Sequence, residues 1–424
     1  MKVLHVTPSF YPAYIYGGST ESTYQLCLHL ARQGCRVSVL TTNANGLGNV
    51  LDVPKDREIE LAQGLQVRYC HRVMRHSVSP SMLQCMPSLV RSADIVHLTA
   101  AYSFPTIPAL AMCRLFGKPV VWSTRGALQR WEGSTRRRAK AIWEWICGLV
   151  APSALLLHTT SEEDTEAAQE RFPHLNTITL PNGVDIPDQV EHVDENGTLR
   201  LLYLGRLHPK KGIENLLQAC KWLKEHTELP WSLTIAGAGD SHYVESLQAK
   251  IEELRLQTQG KECATQKLLP CHVRMIGEVI GEAKERVFAN ADVLVVPSYV
   301  ENFGNVVAEA LARAVPVVAS RGTPWSRLED MRCGLWVDND AESLAKAIQQ
   351  MSRLPLREMG RRGREWMQGE FSWHRIAQDM LVCYEGLGGQ PPAYGTRSYN
   401  RGGPKEGAHT MSPSHRRADH HEAA

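Results

Sequence analysis

The stretch ADVLVVPSYVENFGNVVAEALARAVPVVAS, Ala291–Ser320, decides how this chain folds. Val293–Pro297 is a continuous apolar run. A polar loop follows, then a helical pattern over about Asn305–Arg313, then a second apolar run, Val315–Ala319. Strands apolar at every position, not at alternate ones, must be covered on both faces, which is the pattern of a parallel sheet flanked by helices. Gly304 stands at the expected helix start, where the missing Cβ lets backbone approach a ligand closely. The first amides of a helix have no partner inside it and lie at the positive end of its dipole, so the position suits a phosphate. Two carboxylates bracket it, Glu301 in the loop and Glu309 inside the helix. Carboxylate oxygens accept hydrogen bonds from hydroxyls, so an anion seat flanked by two such acceptors describes a site for a sugar–diphosphate–nucleoside.

The same alternation extends in both directions. Lys2–Thr7, Arg36–Thr42, Ile95–Thr99, Val120–Thr124 and Leu155–Thr160 read as strands with helices between them. After the polar stretch 188–198 a second series begins with Leu199–Leu204, Ser232–Ala236 and Val273–Ile276, and ends with the two strands already quoted. Two such series predict an α/β protein of two Rossmann-like, doubly wound parallel-sheet domains, with ligands at the carboxyl ends of the strands. The expected division is 1–187 for the first domain, 188–198 for a linker, 199–370 for the second domain and 371–387 for one more amphipathic helix. From 388 to 424 Gly, Pro and polar residues displace apolar ones, and this tail is expected to be disordered, its His420–His421 pair included.

Composition narrows the function classes. With 424 residues, 43% of them hydrophobic and 22% charged, the chain has the make-up of a soluble globular protein of two cores. A formal net charge of +2 gives no general attraction to nucleic acid, and no nucleic-acid motif occurs. The 11 cysteines include no C-x-x-C pair and no repeated spacing, so they read as reduced, buried small residues. MKVLHVTPSF carries too short an apolar run for a signal peptide, and no run approaches the ~18 apolar residues of a membrane span. A cytoplasmic location is the expectation.

Three further motifs fall on strand ends. Tyr16-Gly17-Gly18-Ser19 follows the first strand and precedes the helix Glu21–Arg32. GRLHPKKG, Gly205–Gly212, follows the first strand of the second series and aims Arg206 and Lys211 at one anion, Arg with bidentate geometry. IAGAGD, Ile235–Asp240, is a strand and a glycine turn that lacks the spacing of a dinucleotide fingerprint.

In this order the motifs GG, GRL-x-x-x-KG, G-x-G and E-x(7)-E resemble those of the retaining family 4 glycosyltransferases, which have the GT-B architecture of two Rossmann-like domains facing across a cleft. The resemblance runs from Met1 to about Leu387. It includes PNGVD, Pro181–Asp185, at the family's interdomain boundary, and Ser372–Trp373 at the start of its terminal helix, which in the family crosses back onto the first domain. It implies that Glu309 holds the ribose hydroxyls and that Arg206 and Lys211 hold the diphosphate. Glu301 and the amides of Asn302, Phe303, Gly304 and Asn305 would meet the transferred sugar. Gly18 would lie against the phosphate from the other domain, and the turn Gly277–Val279, through Val279, would face the nucleobase. The implied donor is a nucleotide-diphosphate sugar, the acceptor a saccharide or lipid-linked saccharide, and no cofactor or metal is required.

Many relatives carry a histidine after the fifth strand of the first domain, where this chain has Ser123-Thr124-Arg125-Gly126, a subgroup pattern that makes Arg125 the expected site residue in its place; His97, one strand earlier, reads as a packed strand-end residue, with a site histidine as the alternative. Asp338-Asn339-Asp340 matches the Asp-x-Asp of metal-dependent transferases but precedes Ala341-Glu342-Ser343 and reads as a helix N-cap. Arg130–Pro152 combines Arg136, Arg137, Arg138 and Lys140 with Trp131, Trp143, Trp145 and Ile146, which suits either a helix lying on an anionic membrane or a charged cap on a core helix. Paired carboxylates also serve glycosidases, but those face each other ~5–10 Å apart across one bond. The expectation is a retaining transferase working in surface polysaccharide or glycolipid assembly. A nucleotide-sugar epimerase on the same scaffold and a non-catalytic sugar-nucleotide-binding subunit remain the alternatives.

Overall fold

A computed structural model describes residues 1–46, 48–74, 77–129, 137–193, 197–257 and 271–388. The tail from 389 onward and Arg130–Arg136 of the basic stretch lie outside the described residues. Fourteen strands are described. In the first half these are β1 (Lys2–Val6), β2 (Arg36–Thr42), β3 (Glu58–Ala62), β4 (Leu65–Cys70), β5 (Ile95–Thr99), β6 (Val120–Ser123), β7 (Leu155–Thr159) and β8 (Asn176–Thr179). In the second half they are β9 (Leu199–Leu204), β10 (Trp231–Ala236), β11 (His272–Gly277), β12 (Val293–Val296), β13 (Val317–Ser320) and β14 (Gly334–Val337).

The first eight form one sheet in the order β3-β4-β2-β1-β5-β6-β7-β8, the last six another in the order β11-β10-β9-β12-β13-β14. All pairings are parallel except β3–β4. In both sheets the strand order reverses beside the first strand, β1 or β9, which is the place where an open α/β sheet leaves a crevice at its carboxyl edge. The two-domain α/β expectation therefore holds, with one antiparallel edge strand added. Ten strands coincide with apolar runs. Val315–Ala319 starts two residues late, at Val317, because Pro316 has no N–H and serves instead as acceptor for Leu294 N.

Helices cover both faces of each sheet. Leu26, Leu30, Trp373, Ile376, Met380 and Tyr384 of the helices Gly18–Arg32 and Trp373–Gly388 bury one face of the first sheet. Met82, Met86, Leu110, Cys113 and Cys147 of three other helices bury the opposite face. Each such side chain contributes ~1.5–3 kcal/mol through removal from water. The last helix starts beside the second sheet and packs on the first. Val184 N donates to Phe371 O (2.7 Å), so the outgoing segment near 184 and the returning one near 371 run side by side. Ten cysteines are unpaired among the described residues and eight of them are buried.

Candidate active site

The helix Asn305–Ala312 begins where the sequence places it, with Gly304 in the left-handed conformation as its N-cap (φ 77°). Its apolar face, Val307, Ala308 and Leu311, is fully buried, which fixes the axis and points the first amides toward the first domain. Phe303 contributes backbone alone, because its side chain is 5% exposed and packs on Trp325 and Phe371. Glu301 accepts from Ser298 Oγ (2.8 Å) and pairs with Lys211 Nζ. Glu309 pairs with Lys284 Nζ at 2.8 Å. Each acid is thus held against a lysine, a cation that can pair with an anion instead and so leave the carboxylate to accept from hydroxyls.

Arg206 is exposed at the end of β9 and lies near Gly17 of the other domain: a Cβ built on Gly17 would be 3.7 Å from its Nη2. The turn IAGAGD has a packing role. A Cβ on Gly237 would sit 1.8 Å from Gly205 O, so the loops after β9 and β10 touch only because the residue is glycine. Val279 is half-buried in the turn after β11, ahead of the helix Glu282–Ala289 that carries Lys284.

The two domains meet across this edge. Asn305 Nδ2 donates to Gly18 O (3.3 Å), and Asn302 Nδ2 donates to Thr160 Oγ1 (2.8 Å). Added Cβ atoms on Gly18 and Gly126 would each come within 2.5 Å of Asn305 and Asn302 side-chain atoms, so both glycines permit the close approach. Gly18 itself is the first residue of its helix, three residues earlier than the sequence pattern suggests.

Arg125 follows β6 with a left-handed backbone (φ 53°) and donates to Asn182 Oδ1. Asn182 Nδ2 in turn donates to Asn305 Oδ1 (2.8 Å). Asn182, quoted in the sequence only as part of an interdomain boundary, is therefore the residue that joins Arg125 of one domain to Asn305 of the other. Burial pulls the Arg125 guanidinium down to about 10, which leaves it cationic at neutral pH. Burial also lifts the Asp164 carboxyl to about 6, against the Thr160 amide and Arg125. His97 lies wholly inside the sheet, bonded to Ser123 and Tyr384, and does not face the cleft. Asp340 caps the helix Ala341–Met351 through Ser343 N (2.8 Å), and Asp338 pairs with Arg321 (3.1 Å). No group of acidic, histidine or cysteine side chains with metal-holding geometry occurs among the described residues.

The model for glycosyl transferases group 1 matches residues 187–366, and that for glycosyltransferase family 4 matches residues 16–187. The chain is a group 1 glycosyltransferase. This glycosyltransferase is 25% identical to the alpha-maltose-1-phosphate synthase of Mycolicibacterium smegmatis, over 91% of this chain and 99% of that protein. Its fold is similar to that of sucrose-phosphate synthase from Thermosynechococcus elongatus (TM-score 0.69, 20% identity, 91% of this chain and 99% of that one). It is also similar to Anabaena HepE in complex with UDP-glucose (TM-score 0.65, 16% identity, 91% and 100%). The glycosyltransferase has the GT-B architecture of these neighbours, and no described helix is long and apolar enough to cross a membrane.

Proposed function

We propose that the protein is a retaining glycosyltransferase that moves a sugar from a nucleotide-diphosphate sugar, a UDP-sugar first among candidates, to an acceptor hydroxyl. The observation that carries this reading is the pairing of Glu301 with Lys211 and of Glu309 with Lys284 around one helix start, opposite Gly18 and Arg125. In this reading Arg206, Lys211 and the amides at Asn302–Asn305 stabilise the charge that develops on the departing diphosphate. Glu309 accepts from the ribose, Val279 faces the base, Glu301 positions the sugar, and Arg125 orients sugar and acceptor. The diphosphate oxygen takes the acceptor proton on the same face as the sugar departs, so no carboxylate acts as nucleophile and no metal or cofactor is called for. The HepE complex with UDP-glucose supports the choice of base. Residues 1–187 form the acceptor side and 199–370 the donor side.

A thermal-shift panel of UDP-, GDP- and ADP-sugars, with and without divalent cation, tests the donor. One base should raise the melting temperature independently of metal, and Glu309→Ala should weaken that donor by ~10²–10⁴-fold, the loss of two hydroxyl hydrogen bonds to a charged acceptor. Unchanged donor affinity in Glu309→Ala would overturn the assignment.

The acceptor is proposed to be lipid-linked, in surface polysaccharide or glycolipid assembly at the inner face of a membrane. Ile142 (61% exposed), Trp145 (67%) and Leu149 (59%) form one stripe on the helix Arg137–Val150, beside exposed Arg137 and Arg138. Trp143, by contrast, is bonded inward to Ala101 O (2.9 Å). Full-length protein should sediment with phosphatidylglycerol vesicles, and Arg137→Gln with Arg138→Gln should weaken this ~25-fold, at ~1 kcal/mol per basic residue lost. Equal sedimentation of the double variant argues that the stripe meets something other than an anionic bilayer.

A further inference from the structure

Beneath Arg125 the first sheet carries a hydrogen-bond chain that the transfer chemistry does not use. His97 Nδ1 lies 2.5 Å from Tyr384 Oη, and His97 Nε2 lies 2.6 Å from Ser123 Oγ. Ser123 Oγ lies 2.6 Å from His158 Nδ1, and His158 Nε2 lies 2.9 Å from Leu180 O. All four side chains are buried, and the chain spans β5, β6, β7 and the terminal helix.

Its direction follows from one end. A carbonyl oxygen only accepts, so His158 Nε2 carries the hydrogen, and the Nδ1 of that neutral ring accepts from the Ser123 hydroxyl. Ser123 has then spent its hydrogen and accepts from His97 Nε2–H, which leaves His97 Nδ1 to accept from Tyr384. A proton added to either ring would leave a hydroxyl hydrogen of the chain, that of Ser123 or Tyr384, with no acceptor in it. Arg125 and the stacked His5 (4.4 Å from His97), itself bonded to Thr99 and Cys27, oppose a further cation, while Asp164 balances Arg125 nearby.

The far end matters for the cleft. Leu180, held also by its own N–H on Thr159 O (3.0 Å), stands two residues before Asn182, which grips Arg125 on one side and Asn305 on the other. We propose that His97, Ser123, His158 and Tyr384 are positioning residues: their one-way chain ties the terminal helix to Leu180 and so sets where Asn182 holds Arg125 and Asn305 across the cleft. The proposal rests on reading Arg125 and Asn305 as site residues of the transfer.

Ser123→Ala cuts the chain at its centre, and Ser123→Thr keeps the hydroxyl with a side chain that suits a strand. In the full chain, Ser123→Ala should lower kcat by ~10–100-fold, as a small misplacement of a site group does, with the KM for donor within ~3-fold, and Ser123→Thr should restore kcat. Amide hydrogen exchange at Leu180 and Val184 should rise in Ser123→Ala and not in Ser123→Thr. A kcat within ~2-fold of wild type, or unchanged exchange at these amides, overturns the positioning role even if the variant is less stable. Should Ser123→Ala fail to fold, imidazole 15N spectra of the wild-type chain decide. His97 and His158 should both be neutral Nε2–H tautomers at about pH 6, below the ordinary histidine value, and any other state at either ring overturns the chain. A wild type that binds no nucleotide sugar and transfers nothing would fail the transferase reading, while the exchange and tautomer results would stand or fall separately.

Discussion

Glu301→Gln is expected to reduce the transfer rate by ~10²–10³-fold while donor affinity stays within ~3-fold. The substitution keeps volume and leaves an oxygen for Ser298 Oγ, which now donates to Glu301 at 2.8 Å. What disappears is the negative charge that pairs with Lys211. In the proposed reaction Lys211 moves to the diphosphate, so the ground state loses little by that change, whereas a sugar building positive character at its reacting carbon loses a charged acceptor held in a partly buried site. Glu309→Ala should show the opposite division, with weaker donor binding and a smaller effect on turnover at saturation. Steady-state kinetics of both variants with a separate measurement of donor binding make the comparison. Equal loss of affinity in the two would mean that both acids serve the ground state, and the division of roles would fall.

Between about pH 6 and pH 4 the fold is expected to lose ~3 kcal/mol of stability per pH unit. Burial, with Arg125 close by, pulls His5 and His158 down from 6.5 to about 3, and His97 well below its ordinary value. The unfolded chain takes up a proton at each of these near 6.5 and the folded chain does not, so the stability is complete above that value and drains away as pH falls toward 3. Each site contributes ~1.4 kcal/mol per pH unit inside the window, ~4 kcal/mol for three. Asp164 acts the other way: burial raises it from 3.8 to about 6, so the folded state binds the proton more tightly and gains ~1.4 kcal/mol per unit as pH falls through that range. The difference between the two gives the slope from these four groups, and His29, half-buried and pulled by burial from 6.5 down to about 4, adds to the loss. Against the ~5–15 kcal/mol of an ordinary domain this exhausts the fold within a few pH units. Urea midpoints at about pH 7, 6 and 5 measure the slope, and His97→Gln should flatten it by ~1.4 kcal/mol per unit. A flat profile over this range would show that the three rings do not stay neutral.

The legible part of this protein lies where local sequence and tertiary role coincide. Strands buried on both faces are apolar throughout, as in Val293–Val296 and Ile95–Thr99, and such runs announce themselves. β3 (EIELA), β8 (NTIT) and β14 (GLWV) lie at or beside sheet edges, are less buried and carry polar residues or glycine, so they gave no run to read. β4 alternates buried and open positions and hides for the same reason. Glu301, Gly304 and Glu309 were readable because one loop and one helix turn place them, within nine residues of sequence. Asn182, Lys284 and Thr160 were not, because each acts on a partner far along the chain: Asn182 reaches Asn305, 123 residues away.

The sequence by itself determined the two α/β domains, the cleft-edge motifs and the cap at Asp340, since each depends on periodicity or on neighbours within a helical turn. Only the tertiary structure decided that His97 joins Ser123 to Tyr384 of the terminal helix, that Arg125 is held by Asn182, and that each site acid is held by a lysine. These depend on which strand ends adjoin and on how closely two domains approach at Gly18 and Gly126. Long-range pairing sets that geometry, and no local pattern encodes it.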